Sequence, residues 1–327
     1  MIFFKQRLNR GVCLAAISAA FVLPNAATAA VLEEIIVTAQ KRVESLQDVP
    51  ISVTTLGGEK MQQVGVKKIE DLQQFVPNLQ MTETGISTQV YIRGIGTGNS
   101  QGFEQSVGQY IDGIYYGRQQ LIRAPFLDLE RVEVLRGPQS ILFGKNSIAG
   151  ALNMTSAKPT DAVEGYIQLN YEPEFSTREV LFAISGGITD TLKGRFAVRS
   201  YDTDGYVDNT FLDDDEPARD DLAIRGTLRW EPTDDLDISL KLERDTFDTD
   251  GRQIEIVQDD PALPGAPIPA NYSTILGLLG HPGAITETGL NFKRQAGGFG
   301  VKERSDNELE NATLTINYNL GKNTLTS

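Results

Sequence analysis

The chain of 327 residues is poor in the side chains that most catalytic and metal sites require. It contains one cysteine, Cys13, and one histidine, His281. Cys13 lies in a segment that we expect to be removed, which leaves no thiol for a disulfide and no cysteine–histidine set for a metal. His281 follows Gly280 and precedes Pro282, which is typical of a solvated loop histidine. We therefore predict no catalytic residues, no metal site and no cofactor, and we do not expect an enzyme.

The chain also lacks an excess of positive charge and a long apolar run. Its 30 basic and 44 acidic residues give a formal net charge of −14. This balance argues against nucleic acid as a partner, because duplex binding needs a basic face. After the N-terminal segment no stretch is long and apolar enough to predict a helical membrane span.

The N-terminus has the pattern of an export signal. Lys5, Arg7 and Arg10 precede an apolar stretch over residues 12–23, and Ala27-Thr28-Ala29 supplies the small residues that a signal peptidase reads. We predict a cleaved signal peptide over residues 1–29. The mature protein is then expected outside the cytoplasm.

The mature chain divides into three parts. Residues 30–45 are predicted to be a short extended segment without packing partners of its own, and residues 46–160 a compact α+β domain. In that domain we predict strands at 51–56, 90–93, 109–111 and 132–135 and helices at 58–64, 69–75 and 138–142. Its glycines indicate tight turns and close backbone approaches, and the ones that we single out are Gly94, Gly113, Gly137, Gly144 and Gly150.

In residues 161–327 a period of two begins at residue 163, and residues 248–308 are predicted to be a long irregular loop. In Leu236–Glu243 leucine and isoleucine alternate with polar or charged residues, which places an apolar and a polar face on opposite sides of a strand. A soluble sheet would show the same alternation. Candidate strands lie at 163–172, 178–189, 192–204, 222–231, 236–247 and 309–320. Very short connections alternate with long ones, apart from a short first loop at 173–177, and this pattern is typical of outer-membrane barrels. Aromatic residues near strand ends are expected to form an interfacial girdle: Tyr171, Tyr201, Trp230 and Phe247.

At the start of the mature chain, Leu32-Glu33-Glu34-Ile35-Ile36-Val37-Thr38-Ala39 resembles the TonB box of the TonB-dependent outer-membrane receptors. Its β-branched residues suit an extended strand, which can add to the edge of a partner's sheet. An ordinary first strand is the alternative. The resemblance implies contacts to TonB through Glu34, Ile35, Ile36, Val37, Thr38 and Ala39.

The next part of the chain resembles the plug domain of the same family. The longest matching string runs from Leu129 to Ser140 and continues into Phe143-Gly144. The resemblance implies that Arg93, Glu133 and Arg136 pair with the inner wall of a barrel. The alternative is that Glu130, Arg131 and Glu133 form local pairs within the plug.

The resemblance also places two plug loops on the ligand side. The residues expected to meet a ligand there are Tyr115, Tyr116, Arg118 and Arg123, and solvated loop side chains are the alternative. The acidic residues 213–216, 220 and 221 fall in a predicted outer loop. We interpret them as a solvated loop, with a Ca²⁺ site as the alternative.

Together, the resemblance implies an α+β plug domain followed by an incomplete antiparallel transmembrane β-barrel, with six to seven of roughly 22 strands. We expect a monomeric receptor in the outer membrane of a Gram-negative bacterium, in contact with outer-membrane lipid and with periplasmic TonB. The family favours import of a ferric siderophore, with haem, cobalamin and oligosaccharide ligands left open. A plug module that binds a ligand or signals without transport is the alternative. We expect the chain to be the N-terminal part of a longer reading frame.

Overall fold

A computed structural model describes residues 36–38, 44–83, 87–98, 104–255, 259, 271–278, 280, 289–294, 303–321 and 323–327. The predicted signal peptide lies outside these residues, as do Glu34, Ile35, Ala39 and His281.

The first half of the described chain is a small α+β domain, which we call the plug. Its elements in chain order are β1 (Ile36–Val37), β2 (Glu44–Ser45), β3 (Val53–Gly57), α1 (Gly58–Gln63), a 3-10 helix (Ile69–Gln74), β4 (Leu79–Glu83), β5 (Thr88–Ile92), β6 (Ile95–Gly96), β7 (Val107–Ile111), β8 (Ile114–Tyr115), a second 3-10 helix (Gln119–Arg123), β9 (Leu129–Arg136), α2 (Ser140–Phe143) and β10 (Gly150–Ser156).

The plug is built around a five-stranded sheet in the order β3-β9-β10-β7-β8, with β10 parallel to β7 and antiparallel to β9. Strand β9 is buried on both faces. Its Val132 and Val134 lie in one apolar cluster, and its Leu135 lies in a second cluster on the other side. Because a strand alternates its side chains between two faces, both faces of β9 must be covered. A smaller sheet, β4-β5-β6, completes the domain.

The predicted helix at residues 69–75 is a 3-10 helix in the structure. The Asp71 carboxylate accepts hydrogen bonds from the backbone N–H groups of Lys67 and Lys68 at 2.9 and 3.1 Å. These bonds satisfy donors that the start of a helix leaves open. Strands β4 and β10 were not predicted.

The second half of the described chain is dominated by long antiparallel strands, which we call the wall. Its elements are β11 (Glu164–Glu172), β12 (Thr177–Gly187), β13 (Leu192–Thr203), β14 (Val207–Asn209), β15 (Asp214–Glu216), β16 (Ala218–Thr233), β17 (Leu236–Asp250), α3 (Tyr272–Leu278), β18 (Lys293–Arg294), β19 (Arg304–Ser305), β20 (Glu308–Leu320) and β21 (Asn323–Thr326).

The wall strands pair in the order β11-β12-β13-β16-β17-β20-β21, with β19 on the end of β17. Within the described residues β11 and β21 are the two edges, so this sheet is open. On β12, β13, β16 and β17 one face has buried positions towards the plug, and the other face carries exposed apolar side chains such as Ile184, Phe196 and Leu242. Among the helices that the structure describes, none has the length and apolar character that a membrane crossing would require.

Two members of the predicted aromatic girdle face the plug instead. Phe247 is 2% exposed, and Tyr201 lies on the same face of β13 as the buried Arg199. The prediction was wrong for these two because position near a strand end does not determine the face. Tyr171 and Trp230 are exposed, with 68% and 46% of their surface accessible.

The acidic connection between β13 and β16 is structured. Strand β14 pairs with β15, and β18 adds in parallel on its other side. Glu216 of β15 is 1% exposed and accepts a hydrogen bond from the Asn209 side chain at 2.9 Å. The solvated-loop interpretation is therefore wrong for Glu216, whereas Asp213, Asp214 and Asp215 are exposed.

Candidate functional site

Residues 36–38, the described part of the predicted TonB box, are docked on the plug. Strand β1 pairs antiparallel with β2, with Val37 opposite Glu44. The Val37 side chain is fully buried and belongs to the cluster that contains Leu135 and Phe143. The prediction that residues 30–45 have no packing partners is therefore wrong for this part. Burial of one valine side chain contributes on the order of 2 kcal/mol.

Thr38 continues this docking through a buried polar network. Its backbone N–H donates to Glu133 Oε1 at 2.7 Å, and Arg131 Nε donates to the same oxygen at 2.9 Å. The Asn153 amide donates to Glu133 Oε2 at 3.0 Å, and Arg131 Nη2 donates to the Thr38 hydroxyl at 3.1 Å. The Glu133 side chain is 0% exposed. Its charge is thus compensated inside the plug, as a buried carboxylate requires.

The three residues expected to meet the wall have other surroundings among the described residues. Both carboxylate oxygens of Glu133 accept hydrogen bonds within the plug, from Thr38, Arg131 and Asn153. This agrees with the alternative of local pairs within the plug. Arg136 Nη1 donates to the Pro77 carbonyl at 3.4 Å. Arg93 has a left-handed backbone with φ 53°. Its guanidinium lies beside Gly137, where an added Cβ would be 3.4 Å from Arg93 Nη1. For Arg93 and Arg136 a contact with the wall stays a prediction.

One contact between plug and wall combines a buried ion pair with apolar packing at Leu127 and Asp128, which we call the anchor. Arg195 of β13 donates to both Asp128 oxygens, from Nε at 2.6 Å and from Nη2 at 2.7 Å. Arg225 of β16 donates to the Leu127 carbonyl at 2.7 Å. The Leu127 side chain is 1% exposed in a cluster with three wall alanines: Ala183, Ala197 and Ala223. Small wall residues leave the space that the leucine fills.

A second contact joins β7 and β8 to the wall. Lys241 of β17 forms an ion pair with Asp112, whose other oxygen accepts the backbone N–H of Ser156 at 2.8 Å. Burial raises the pKa of the Asp112 carboxyl, but the Lys241 ammonium, the Ser156 N–H and the Arg225 guanidinium together outweigh burial, so the net pKa lies below its usual value. Tyr116 accepts a hydrogen bond from Asn311 of β20.

A third contact involves a residue predicted to face the ligand. Arg123 donates to Thr249 of β17 and lies 3.6 Å from Glu83 of the plug, which also pairs with Arg219 of β16. Burial would raise the pKa of the Glu83 carboxyl, but the guanidinium groups of Arg219 and Arg123 outweigh burial and lower it. Only 5% of the Arg123 side chain is exposed.

The other three residues predicted to face the ligand differ in their exposure. Tyr116 is 5% exposed, and burial followed by the charge of Glu243 raises its pKa to about 12. Tyr115 is half-buried and accepts a hydrogen bond from Asn146, while Arg118 is exposed. Of the four, Arg118 is therefore the most accessible, whereas Arg123 and Tyr116 are used in contacts with the wall.

The predicted turn glycines meet two different constraints. Gly94, Gly113, Gly137 and Gly144 all have positive φ, with Gly113 at +82° in the turn between β7 and β8. Gly150 starts β10, where a Cβ would lie 2.3 Å from the Leu135 carbonyl oxygen. The space between β9 and β10 therefore excludes a side chain at this position.

Sequence reasoning missed most of the plug–wall contacts. Asp112 and Asp128 carry no sequence pattern that distinguishes them from other surface charges. Arg195, Arg225 and Lys241 do carry one, since each occupies a plug-facing position on a strand. A cation at such a position requires a partner across the interface.

Comparison with known proteins places these features in a family. Residues 45–151 match the family model described as TonB-dependent Receptor Plug Domain. The iron-regulated outer membrane virulence protein of Vibrio cholerae is 30% identical over 145 residues, which are 42% of this chain and 22% of that protein. The pesticin receptor of Yersinia pestis is 29% identical over 161 residues, which are 48% of this chain and 24% of that protein. The chain thus spans about a quarter of the length of these relatives.

Solved structures show the same fold. The ferric yersiniabactin uptake receptor of Yersinia pestis superposes with a TM-score of 0.64 at 20% identity, over 83% of this chain and 39% of that one. The ferripyoverdine receptor of the outer membrane of Pseudomonas aeruginosa gives a TM-score of 0.64 at 16% identity, over 88% and 34%. The predicted fold class, a plug followed by antiparallel wall strands, is confirmed.

Proposed function

We propose that this chain, which belongs to the TonB-dependent receptors, serves the energy-coupled import of a ferric siderophore through the outer membrane. Several relatives support this ligand class by name: the ferrioxamine B receptor of Salmonella typhimurium is 26% identical over 209 residues, which are 61% of this chain and 28% of that protein. The apolar outer face of the wall strands suits contact with lipid.

One observation carries the proposal: the segment ahead of the plug is attached weakly enough to be removed. It is held by the buried Val37 side chain and by the Thr38 bonds to Glu133 and its neighbours. Contacts of this kind contribute a few kcal/mol together. A partner that binds the segment more tightly can therefore detach it while the anchor keeps the plug in place.

The same segment offers a suitable surface to TonB. Strand β1 pairs only with β2 in its sheet, so within the described residues its other edge has no strand partner. An extended segment with an open edge can add to a partner's sheet through main-chain hydrogen bonds. Glu34–Ala39 is therefore the proposed handle for TonB, and ligand binding on the outer side of the plug is the proposed trigger.

A proline substitution tests this role. Val37→Pro removes a backbone donor from the handle and is expected to abolish uptake of iron from the siderophore while leaving its binding at the cell surface intact. Val37→Ala keeps the N–H and serves as the matched control, with uptake expected to remain. Radioactive iron uptake and surface binding would be measured on the same cells. Uptake by the Val37→Pro receptor at the level of the control would overturn the role of this segment.

A further inference from the structure

Two hollows lie one above the other between the plug and the wall. The upper hollow, of about 330 Å³, is bounded by residues 65–71 of the plug and by β12, β13 and β16. The lower hollow, of about 390 Å³, is bounded by α1 and by β11, β12 and β13, and it reaches down to Asp128. The strand register fixes their order: Tyr201, in the upper hollow, is opposite Glu179, whereas Tyr166, in the lower one, is opposite Ala183.

A cluster of charged side chains separates the two hollows. Lys67 and Arg199 border both. Glu179 of β12 lies between them, 2.9 Å from Lys67 Nζ and 2.9 Å from Arg199 Nη2. The Asn170 amide donates to Glu179 Oε2 at 2.8 Å. We call Lys67, Glu179 and Arg199 the gate cluster.

The plug contributes one side chain to this cluster, and that side chain is the least buried. Lys67 is 43% exposed, against 1% for Glu179 and 5% for Arg199. It lies in the short connection between α1 and the 3-10 helix, after Gly65 with φ +74°. An ion pair with one exposed partner contributes about 1 kcal/mol. The anchor at the bottom of the lower hollow is built differently, with a buried leucine and a bidentate arginine pair.

We propose that the imported ligand crosses the plug–wall boundary along these two hollows, and that the gate cluster closes the passage between them. This inference rests on the proposed function. The connection that carries Lys67 moves away from β12 when the plug is pulled, while the anchor holds residues 127 and 128 against the wall. The upper hollow, of about 330 Å³, lies at the small end of the range for ligand pockets, so a bulkier ligand requires the passage to widen as Lys67 leaves Glu179.

The lining of the upper hollow indicates the chemistry of the ligand. Five basic side chains border it against three acidic ones, and Tyr201 and Tyr206 add flat amphipathic surface. Four of the five cations are paired with Glu179 or Glu83, so the aromatic rings are the distinctive surface. They suit a ligand that carries apolar or aromatic groups.

Thiol labelling in cells tests the gate. Gln168 borders the lower hollow, and Tyr206 borders the upper hollow and is 44% exposed. The receptor in the outer membrane would carry either Gln168→Cys or Tyr206→Cys, and a small anionic methanethiosulfonate would be added outside. Lys67→Ala is expected to raise the labelling rate at Gln168→Cys by about fivefold, the factor that corresponds to an ion pair of about 1 kcal/mol. Labelling at Tyr206→Cys should stay unchanged.

A matched control variant is available. Lys193→Ala removes a lysine whose Nζ lies 2.8 Å from Asp161 and 2.7 Å from Glu231. Lys193 borders neither hollow, so this change should leave both rates unchanged. Equal labelling of Gln168→Cys with and without Lys67→Ala would overturn the gate. An effect of Lys193→Ala on the Gln168→Cys rate as large as that of Lys67→Ala would also overturn the gate.

A reversible cross-link tests whether the gate must open during import. Lys67→Cys with Glu179→Cys, joined by a short bis-maleimide that contains a reducible disulfide, should block uptake of radioactive iron supplied with the cells' own siderophore. Reduction of the linker should restore uptake. The pair Asp161→Cys with Lys193→Cys, joined by the same reagent, should leave uptake unchanged.

The two proposals fail separately in these experiments. If Val37→Pro abolishes uptake but uptake continues when the gate is cross-linked, the passage is refuted and the proposal of TonB-dependent import is not. If Lys67→Ala raises the labelling rate but Val37→Pro leaves uptake unchanged, the passage is supported and the TonB-dependent role is refuted.

Discussion

Loss of the Arg195 guanidinium is expected to loosen the plug at the anchor. The Asp128 side chain is 5% exposed, and Arg195 supplies two of its hydrogen bonds. Removing one partner of a buried ion pair costs about 3–5 kcal/mol, because the other charge stays buried without compensation. The Tyr166 hydroxyl, which donates to Asp128 at 3.3 Å, still compensates part of the charge and places Arg195→Ala at the lower end, about 3 kcal/mol.

Amide hydrogen exchange read by mass spectrometry measures this effect in the membrane-embedded receptor. Exchange reports local opening, so a loss of about 3 kcal/mol should speed exchange in the peptide over residues 124–136 by roughly a hundredfold. Arg195→Lys keeps the charge but loses the bidentate geometry and should give an intermediate rate.

The control is again Lys193→Ala, whose partners Asp161 and Glu231 are 82% and 29% exposed. Neither partner belongs to the anchor, so exchange over residues 124–136 should match that of the unmodified receptor. Unchanged exchange in Arg195→Ala would refute the reasoning that the anchor depends on this pair. Equal acceleration of exchange in Lys193→Ala would show that the effect is not specific to the anchor.

Two further predictions concern pH and packing. Because the Lys241 ammonium helps to hold the pKa of the Asp112 carboxyl low, the contribution of this pair is present above the ordinary aspartate pKa of about 3.9 and is lost as the pH falls through the lowered value. Hydrogen exchange at Ser156, measured from pH 6 downwards and corrected for intrinsic rates, should therefore stay slow down to about pH 3.9, and loss of protection that begins above this pH would contradict the shift. Gly150→Ala should destabilise the plug by about 1–3 kcal/mol, since the new Cβ meets the Leu135 carbonyl at 2.3 Å; calorimetric melting would show it, with Gly226→Ala, which meets nothing within 4 Å, as the control expected to be silent.

The sequence allowed the wall to be predicted well because its signal is local. Strands predicted at 192–204 and 309–320 are Leu192–Thr203 and Glu308–Leu320 in the structure. A strand between lipid and a wet lumen must alternate residue by residue, and a pattern of two residues is visible in one sequence. The predicted strand at 222–231 was too short, because Ala218–Asp221 continues β16 with polar residues that do not show the alternation.

The plug contacts could not be predicted because they join distant parts of the chain. Thr38, Glu133 and Asn153 meet only after three segments have folded together, and nothing around Thr38 marks the partner. Strand β10 was missed since Gly150–Ser156 shows no alternation and both of its faces are buried. Arg123 was assigned to the ligand side from its loop, whereas its guanidinium reaches β17.

The most direct test of the central claim is the affinity between the receptor in detergent and the purified periplasmic domain of TonB. The docked handle predicts measurable binding for the unmodified receptor and for Val37→Ala, and loss of binding for Val37→Pro, because the partner strand requires the main-chain donor. Equal affinity of TonB for the Val37→Pro and Val37→Ala receptors would contradict the assignment of this segment as the handle.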